Sequence, residues 1–214
     1  QGARLPAGTI EKLDLRGAFL AGAELSGRTF VECTLSNGIG SNLRVERVLF
    51  RKCMLDNIDL SNSVLAECVF EECFFETANM RHTDLRGVRM VATELGGSLV
   101  GSSDLRGAHF ERCTLDGCEL AASDLTGTRF EDVTAEKARA SQAQFQRCVL
   151  LRTSFDGADL SSANLTEIDT VEFSAVGARC VGAHFVTAGL PGANLSGADL
   201  TDAVLDGSDL TRAN

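Results

Sequence analysis

The sequence predicts an all-β solenoid, a fold in which the chain winds into short coils stacked along one axis. Two observations lead to this prediction: an apolar residue recurs at every fifth position, and similar hexamers recur every twenty residues. The hexamers read FVECTL at 30–35, FRKCML at 50–55, FEECFF at 70–75 and FERCTL at 110–115. Fixed internal periods of this kind are typical of repeat architectures, in which each unit packs on the next.

Each five-residue unit has the same order of side chains, as the stretch Asp156–Leu160 illustrates. A period of five fits neither an α-helix nor a regular alternating strand. In a short extended segment, residues two apart point to the same side. Ala158 and Leu160 are therefore predicted to face inward and Asp159 outward. The preceding pair, Asp156 and Gly157, turns the corner, where glycine relieves backbone strain.

Four such units make one coil of twenty residues, so residues twenty positions apart stack at the ~4.8 Å spacing of paired strands. The whole chain, 1–214, is predicted to form a single domain of about ten to eleven coils, a rod roughly 50 Å long. Two inward columns follow from this register. The large-residue column contains Phe30, Phe50, Phe70, Phe110 and Phe130, and the small-residue column contains Cys33, Cys53, Cys73 and Cys113.

Segments such as GADLSSANLTEID and GANLSGADLTDAVLDGSDLTRAN resemble the A-(D/N)-L-x-x motif of the pentapeptide repeat family. The resemblance covers nearly the whole chain, and dozens of tandem motifs agree in phase. It implies a right-handed, four-sided (quadrilateral) parallel β-helix.

The pattern weakens in a few stretches, most clearly at 36–44. In SNGIGSNLR, residues 36–44, Gly38 and Gly40 take the positions of a small and a large apolar residue. We expect an irregular bulge or loop at 36–44, with Ile39 turned inward as one way of filling the core.

The cysteines do not predict chemistry. Seven of the eight occupy the small inward position, where a free cysteine behaves as a small buried hydrophobe. A straight stacked column offers neither disulfide geometry nor four converging zinc ligands. The sequence also contains no phosphate-binding loop and no nucleophile–base–orienter set, so we expect no enzymatic activity, no metal and no cofactor. Eight free thiols favour a reducing compartment, and the N-terminal stretch lacks a signal-peptide pattern, so a cytoplasmic location is expected.

The net charge of −10 argues against direct nucleic-acid binding, which requires a basic surface. No stretch is apolar enough for a membrane span. In the four-sided register, two outward columns are acidic and are the candidate partner-binding residues. The first comprises Asp56, Glu76, Asp116, Glu136 and Asp156, with a gap at Gly96, and the second comprises Asp84, Asp104 and Asp124.

Two interpretations of these columns remain open. One is a solvated acidic face on an interaction scaffold, or on a targeting module of a larger or secreted effector-type protein. The other follows from the resemblance, since some pentapeptide repeat proteins resemble B-DNA in size and charge and protect type II topoisomerases from inhibitors. It implies a DNA mimic that binds DNA gyrase or topoisomerase IV. A further outward cluster, Val149, Leu151 and Val171, is the candidate oligomer patch for a homodimer.

Overall fold

One parallel sheet runs along the solenoid. The computed structural model describes residues 8–214, so residues 1–7 of the expected domain lie outside the described residues. Nine strands follow one another in the sheet in chain order, each parallel to the next and displaced by twenty residues. They are β1 (Thr9–Glu11), β2 (Thr29–Val31), β3 (Leu49–Arg51), β4 (Val69–Glu71), β5 (Arg89–Val91), β6 (His109–Glu111), β7 (Arg129–Thr134), β8 (Val149–Ser154) and β9 (Asp169–Val171).

Single-residue parallel bridges with the same offset hold most of the other three sides, and β7 and β8 extend their strand pairing onto the second side. Asp14 bridges Thr34 on the second side, Phe19 bridges Ile39 on the third, and Arg44 bridges Val64 on the fourth. The strand side itself continues beyond β9 through bridges from Asp169 to Gly189 and from Gly189 to Asp209. The chain is therefore a four-sided parallel β-solenoid, and the predicted fold class is confirmed.

The corners between sides are tight turns with a left-handed residue. At one of them the Ala108 amide donates to the Leu105 carbonyl at 2.9 Å, and Gly107 has a φ of 64°. Residues with side chains adopt the same conformation at other corners, for example Asn57 at 54° and Thr77 at 55°. Asparagine tolerates this region well, whereas threonine is strained by about 1 kcal/mol or more. The fixed pitch of the coil therefore imposes the corner geometry even where the residue disfavours it.

The core is a stack of side chains along the rod axis. Phe30, Phe50 and Phe70 are buried, and neighbouring rings lie 5.0–5.1 Å apart and within 12° of parallel. Phe110 and Phe130 repeat this arrangement at 5.2 Å, with Met90 on the level between the two groups. Such stacking arises because the register places identical positions directly above one another.

The bulge expected at 36–44 is not present, and this prediction was wrong. Ile39 bridges both Phe19 and Asp59, and its side chain is 40% exposed rather than turned inward. The two glycines are buried because neighbouring coils fill their space: a Cβ on Gly40 would lie 3.1 Å from the Leu60 side chain. Because large side chains from the next coil fill the space beside both glycines, the backbone keeps its regular course.

This packing predicts opposite outcomes for two glycine-to-alanine substitutions. A Cβ on Gly38 would lie 2.8 Å from the carbonyl oxygen of Leu35, so Gly38→Ala is expected to destabilise the fold by about 1–3 kcal/mol. At Gly96 the nearest atom is the Asp116 carbonyl oxygen at 3.8 Å, so Gly96→Ala is expected to be neutral or to stabilise by up to about 1 kcal/mol. Denaturant unfolding followed by circular dichroism measures both, and equal stabilities would contradict the packing described for Gly38.

Candidate protein-binding surface

Five outward carboxylates form the acidic strip, which we define as Asp56, Glu76, Asp116, Glu136 and Asp156. They occupy equivalent positions at the start of a corner on the second side of the coil. Glu76 and Glu136 are exposed, and the three aspartates are half-buried. Within residues 8–214, none of the five forms an ion pair. The strip therefore presents uncompensated negative charge to solvent.

The aspartates of the acidic strip also hold the backbone of the next coil. Asp56 accepts a hydrogen bond from the Glu76 amide at 3.1 Å, and Asp116 accepts one from the Glu136 amide at 2.8 Å. Asp156 does the same for the Val176 amide at 2.8 Å. These contacts fix the direction of each aspartate side chain. The spacing of the carboxylates did not predict these contacts, although a short acidic side chain at a corner is a usual acceptor for a nearby amide.

The second predicted acidic column is largely neutralised. Arg86 lies 2.6 Å from Asp84 and 3.7 Å from Asp104, while Arg106 lies 2.6 Å from Asp104 and 3.6 Å from Asp124. The hydrogen bond from Arg86 lowers the pKa of Asp84, and that from Arg106 lowers the pKa of Asp104. Three carboxylates interleaved with two guanidinium groups leave little free charge. The column thus differs from the acidic strip, despite similar sequence patterns.

The outer face of the strand side carries a second mixed ladder. Arg89 reaches Glu71 at 3.9 Å and Glu111 at 3.0 Å, and Glu131 receives Arg129 and Arg152, each at 3.0 Å. Exposed pairs of this type contribute little stability each. Their effect on the surface potential is larger, because they cancel the charge of this face.

The candidate oligomer patch lies farther along this same face, on β8 and β9. Leu151 on β8 is in register with Val171 on β9, and Val149 lies two residues before Leu151 on the same strand. Val171 is 52% exposed, whereas Val149 and Leu151 are half-buried. Val149 is itself in register with Asp169, which places a carboxylate beside the patch. A homodimer through these residues stays a prediction.

The cysteine column is buried and reduced. All eight cysteines are free, and the thiol of Cys113 contacts the Met90 carbonyl oxygen at 3.4 Å, one coil below. Serine and threonine at the same small inward position make the same contact, as Thr83 does with the Leu60 carbonyl at 2.9 Å. Burial raises the pKa of Cys113 to about 11 and that of Cys118 to about 12. These thiols are therefore neutral at physiological pH and serve as donors within the core.

Two large apolar side chains lie beside the acidic strip. Met54 and Phe74 are in register on adjacent coils, joined by a parallel bridge. Both side chains point outward, and they are 46% and 41% exposed, respectively. Each lies two residues before a carboxylate of the strip, Asp56 or Glu76. The five-residue pattern alone does not show that these two outward residues form one surface. Their separation of twenty residues was the signal in the sequence that could have predicted this contact between coils.

Among residues 8–214, no cluster of three or more His, Cys, Asp and Glu side chains is arranged to hold a metal ion. Nor does this portion contain a helix long and apolar enough to cross a membrane.

Family models account for most of the chain. A model described as a pentapeptide repeat region matches residues 43–120, and one described as pentapeptide repeats (8 copies) matches 129–169 and 177–214. The chain belongs to the pentapeptide repeat family. Its solenoid is the right-handed quadrilateral β-helix of pentapeptide repeat proteins, as the resemblance in the sequence implied.

Two solved structures of pentapeptide repeat proteins are similar to this chain to different degrees. HetL, a pentapeptide repeat protein from the cyanobacterium Nostoc involved in regulating heterocyst differentiation, is 28% identical, with 96% of this chain and 88% of HetL covered and a TM-score of 0.73. A trypsin-treated form of QnrB1, a plasmid-mediated fluoroquinolone resistance protein, is 19% identical, with 95% and 92% covered and a TM-score of 0.42. No curated protein sequence matches the chain at a significant level.

Proposed function

We propose that this pentapeptide repeat protein is a non-catalytic binding rod that presents the acidic strip to a basic surface of a protein partner. The observation that carries the proposal is the contrast between columns. Arginines neutralise the Asp84 column and the strand side, whereas the five carboxylates of the acidic strip have no ion-pair partner among the described residues. Charge of one sign along a rigid surface attracts an oppositely charged partner and orients it on approach.

The spacing of the strip favours a partner with lysine or arginine side chains in two groups, because Gly96 interrupts the strip between Glu76 and Asp116. Adjacent carboxylates one coil apart, ~4.8 Å, repel by about 1 kcal/mol in water. A cationic group placed between two of them relieves this repulsion. The aspartates need no reordering for binding, because the amides of the next coil already hold them. Binding to a preorganised strip costs less entropy than binding to mobile side chains.

Two partner classes fit this surface. The first is the DNA-binding surface of DNA gyrase or topoisomerase IV, with the rod acting as a DNA mimic that protects the enzyme from inhibitors. Family resemblance and the rod's length support it, but duplex DNA carries one charge per ~1.7 Å of axis, about three times the density of one column. The second is a scaffold that binds another basic protein. The likeness to HetL, a protein involved in regulation, supports this second class.

A gyrase supercoiling assay, titrated with the protein with and without a quinolone, separates the two classes. Inhibition, or rescue from the drug, supports the DNA mimic. An unaffected enzyme in the presence of folded protein supports the scaffold, whose partner is then captured from the source cell by cross-linking to the strip.

The strip itself is tested with the double variant Asp116→Asn and Glu136→Gln. Its affinity is measured for gyrase, if the supercoiling assay shows an effect, and otherwise for the cross-linked partner. Asparagine keeps the acceptor for the Glu136 amide, so the change removes charge with little effect on the fold. We expect affinity to fall about 5- to 30-fold at low salt, since close charge pairs contribute about 0.5–1 kcal/mol each or more. Reversing the same two residues to lysine should weaken binding further.

The matched control is Asp202→Asn with Asp206→Asn, which changes the net charge equally at two exposed positions outside the strip. Equal losses for the two double variants would show that total charge, rather than the strip, drives binding, and the proposal would fail.

A further inference from the structure

Met54 and Phe74 form an exposed apolar pair, which we call the apolar pair, on an otherwise polar column. Their outward column continues with Thr34 on one side and Glu94 on the other, and then with Thr114 and further polar residues. Single exposed apolar residues are ordinary on protein surfaces. Two large ones bridged directly across neighbouring coils, each more than 40% exposed, make a small continuous apolar surface.

Three carboxylates border the apolar pair. Asp56 and Glu76 belong to the acidic strip, and Glu94 bridges Phe74 from the next coil. None of the three has an ion-pair partner within the described part of the chain. The remaining border is the corner where Lys52 pairs with Glu72 at 3.7 Å, which adds no net charge. The surroundings of the apolar pair are therefore anionic.

We propose that the apolar pair is the anchor point of the acidic strip for a basic segment of a protein partner, in which one large apolar residue lies among lysines or arginines. This rests on the proposed function and deepens it, because it states which part of the strip selects the partner. Interface energy is concentrated in a few desolvated aromatic and arginine contacts. Phe74 can receive an apolar side chain or the face of a guanidinium, and the Met54 thioether adapts to either shape.

Charge complementarity decides among possible occupants. Anionic membranes and nucleic-acid phosphates would be repelled by Asp56, Glu76 and Glu94. A second copy of the chain related by a two-fold axis would place these same carboxylates near their own equivalents, since such an interface is self-complementary. A cationic segment meets no such repulsion. The pair spans only two coils, a size that suits a short segment rather than a broad folded surface.

The test uses the full chain and two labelled synthetic peptides of thirteen residues. Both are lysine- and arginine-rich, and they differ only at the central position, which is tryptophan in one and serine in the other. We expect the tryptophan peptide to bind at least 5-fold more tightly in fluorescence anisotropy. Phe74→Ser and Met54→Ser should each reduce this difference, with a smaller effect on the serine peptide than on the tryptophan peptide. Glu76→Gln should weaken both peptides.

Phe19→Ser is the matched control, because Phe19 is 80% exposed on another side of the coil. It should leave both affinities unchanged, and circular dichroism checks that every variant is folded. Equal affinity of the two peptides, with both weakened by the Asp116→Asn and Glu136→Gln changes, would overturn the anchor while supporting the strip. Failure of both peptides to bind would overturn the anchor and count against the strip. Self-association that Phe74→Ser abolishes would also overturn the anchor.

Discussion

Replacing Phe130 with alanine is expected to lower the free energy of unfolding by about 3–5 kcal/mol. The ring is completely buried and stacks on Phe110 at 5.2 Å, and its edge-to-face neighbour Phe155 lies 6.4 Å away. The loss therefore includes transfer of the ring from water, two aromatic contacts and the cavity left behind. Only adjacent coils supply these contacts, so nothing distant in the chain can compensate.

Denaturant unfolding of Phe130→Ala is best followed by far-ultraviolet circular dichroism, because the chain contains neither tryptophan nor tyrosine. Phe19→Ala is the control: it removes the same side chain where it is 80% exposed, and the expected change is within about 0.5 kcal/mol. Similar losses at the two positions would contradict the buried stack.

Raising the pH above 9 is expected to destabilise the rod strongly. Burial raises the pKa of Cys68, Cys113 and Cys180 to about 11, and that of Cys118 and Cys148 to about 12, from an ordinary value of 9.0. The folded state keeps these thiols protonated, whereas the unfolded chain loses their protons near pH 9. Their contribution is therefore complete below pH 9 and declines between pH 9 and 11–12, by about 1.4 kcal/mol per pH unit for each thiol.

The measurement is the denaturation midpoint between pH 7 and 11 in the presence of a reductant. Cys118→Ala and Cys148→Ala together should make the alkaline decline shallower, by about 1.4 kcal/mol per pH unit for each thiol removed. Slopes rather than absolute stabilities are compared, because Cys118 also donates to the Leu95 carbonyl at 2.8 Å. A slope unchanged by the two substitutions would refute the thiol mechanism. The absence of tyrosine removes one competing group that titrates in this range.

The two acidic columns show that sequence spacing predicts the position of a carboxylate but not whether an arginine pairs with it. The register correctly places Asp84, Asp104 and Asp124 one above another, but sequence spacing alone did not reveal that Arg86 and Arg106 fold back onto them. Arginine has a long flexible side chain that could equally extend into solvent. The charge of an outward column therefore depends on side-chain conformation in neighbouring coils, and only the structure separates the neutralised column from the acidic strip.

Residues 36–44 show that the sequence pattern also does not predict how an empty inward position is filled. From sequence, Gly38 and Gly40 left two inward positions empty, and a change of backbone path was the expected response. The structure responds through packing instead, because Leu60 and Ile58 approach the glycine positions from the next coil. Whether a void is filled by a moved backbone or by a neighbour's side chain depends on three-dimensional packing twenty residues away.

The sequence by itself determined the coil, its five-residue sides, the inward columns and the parallel stacking. It could do so because every residue has its main partner at a constant offset of twenty, as Phe30 has Phe50, so the three-dimensional contacts are already periodic along the chain. The tertiary structure alone decided which carboxylates remain unpaired, how the glycine positions are filled, and that Met54 and Phe74 join into one surface. These features depend on where individual side chains point and how much solvent reaches them, and a backbone period does not specify either.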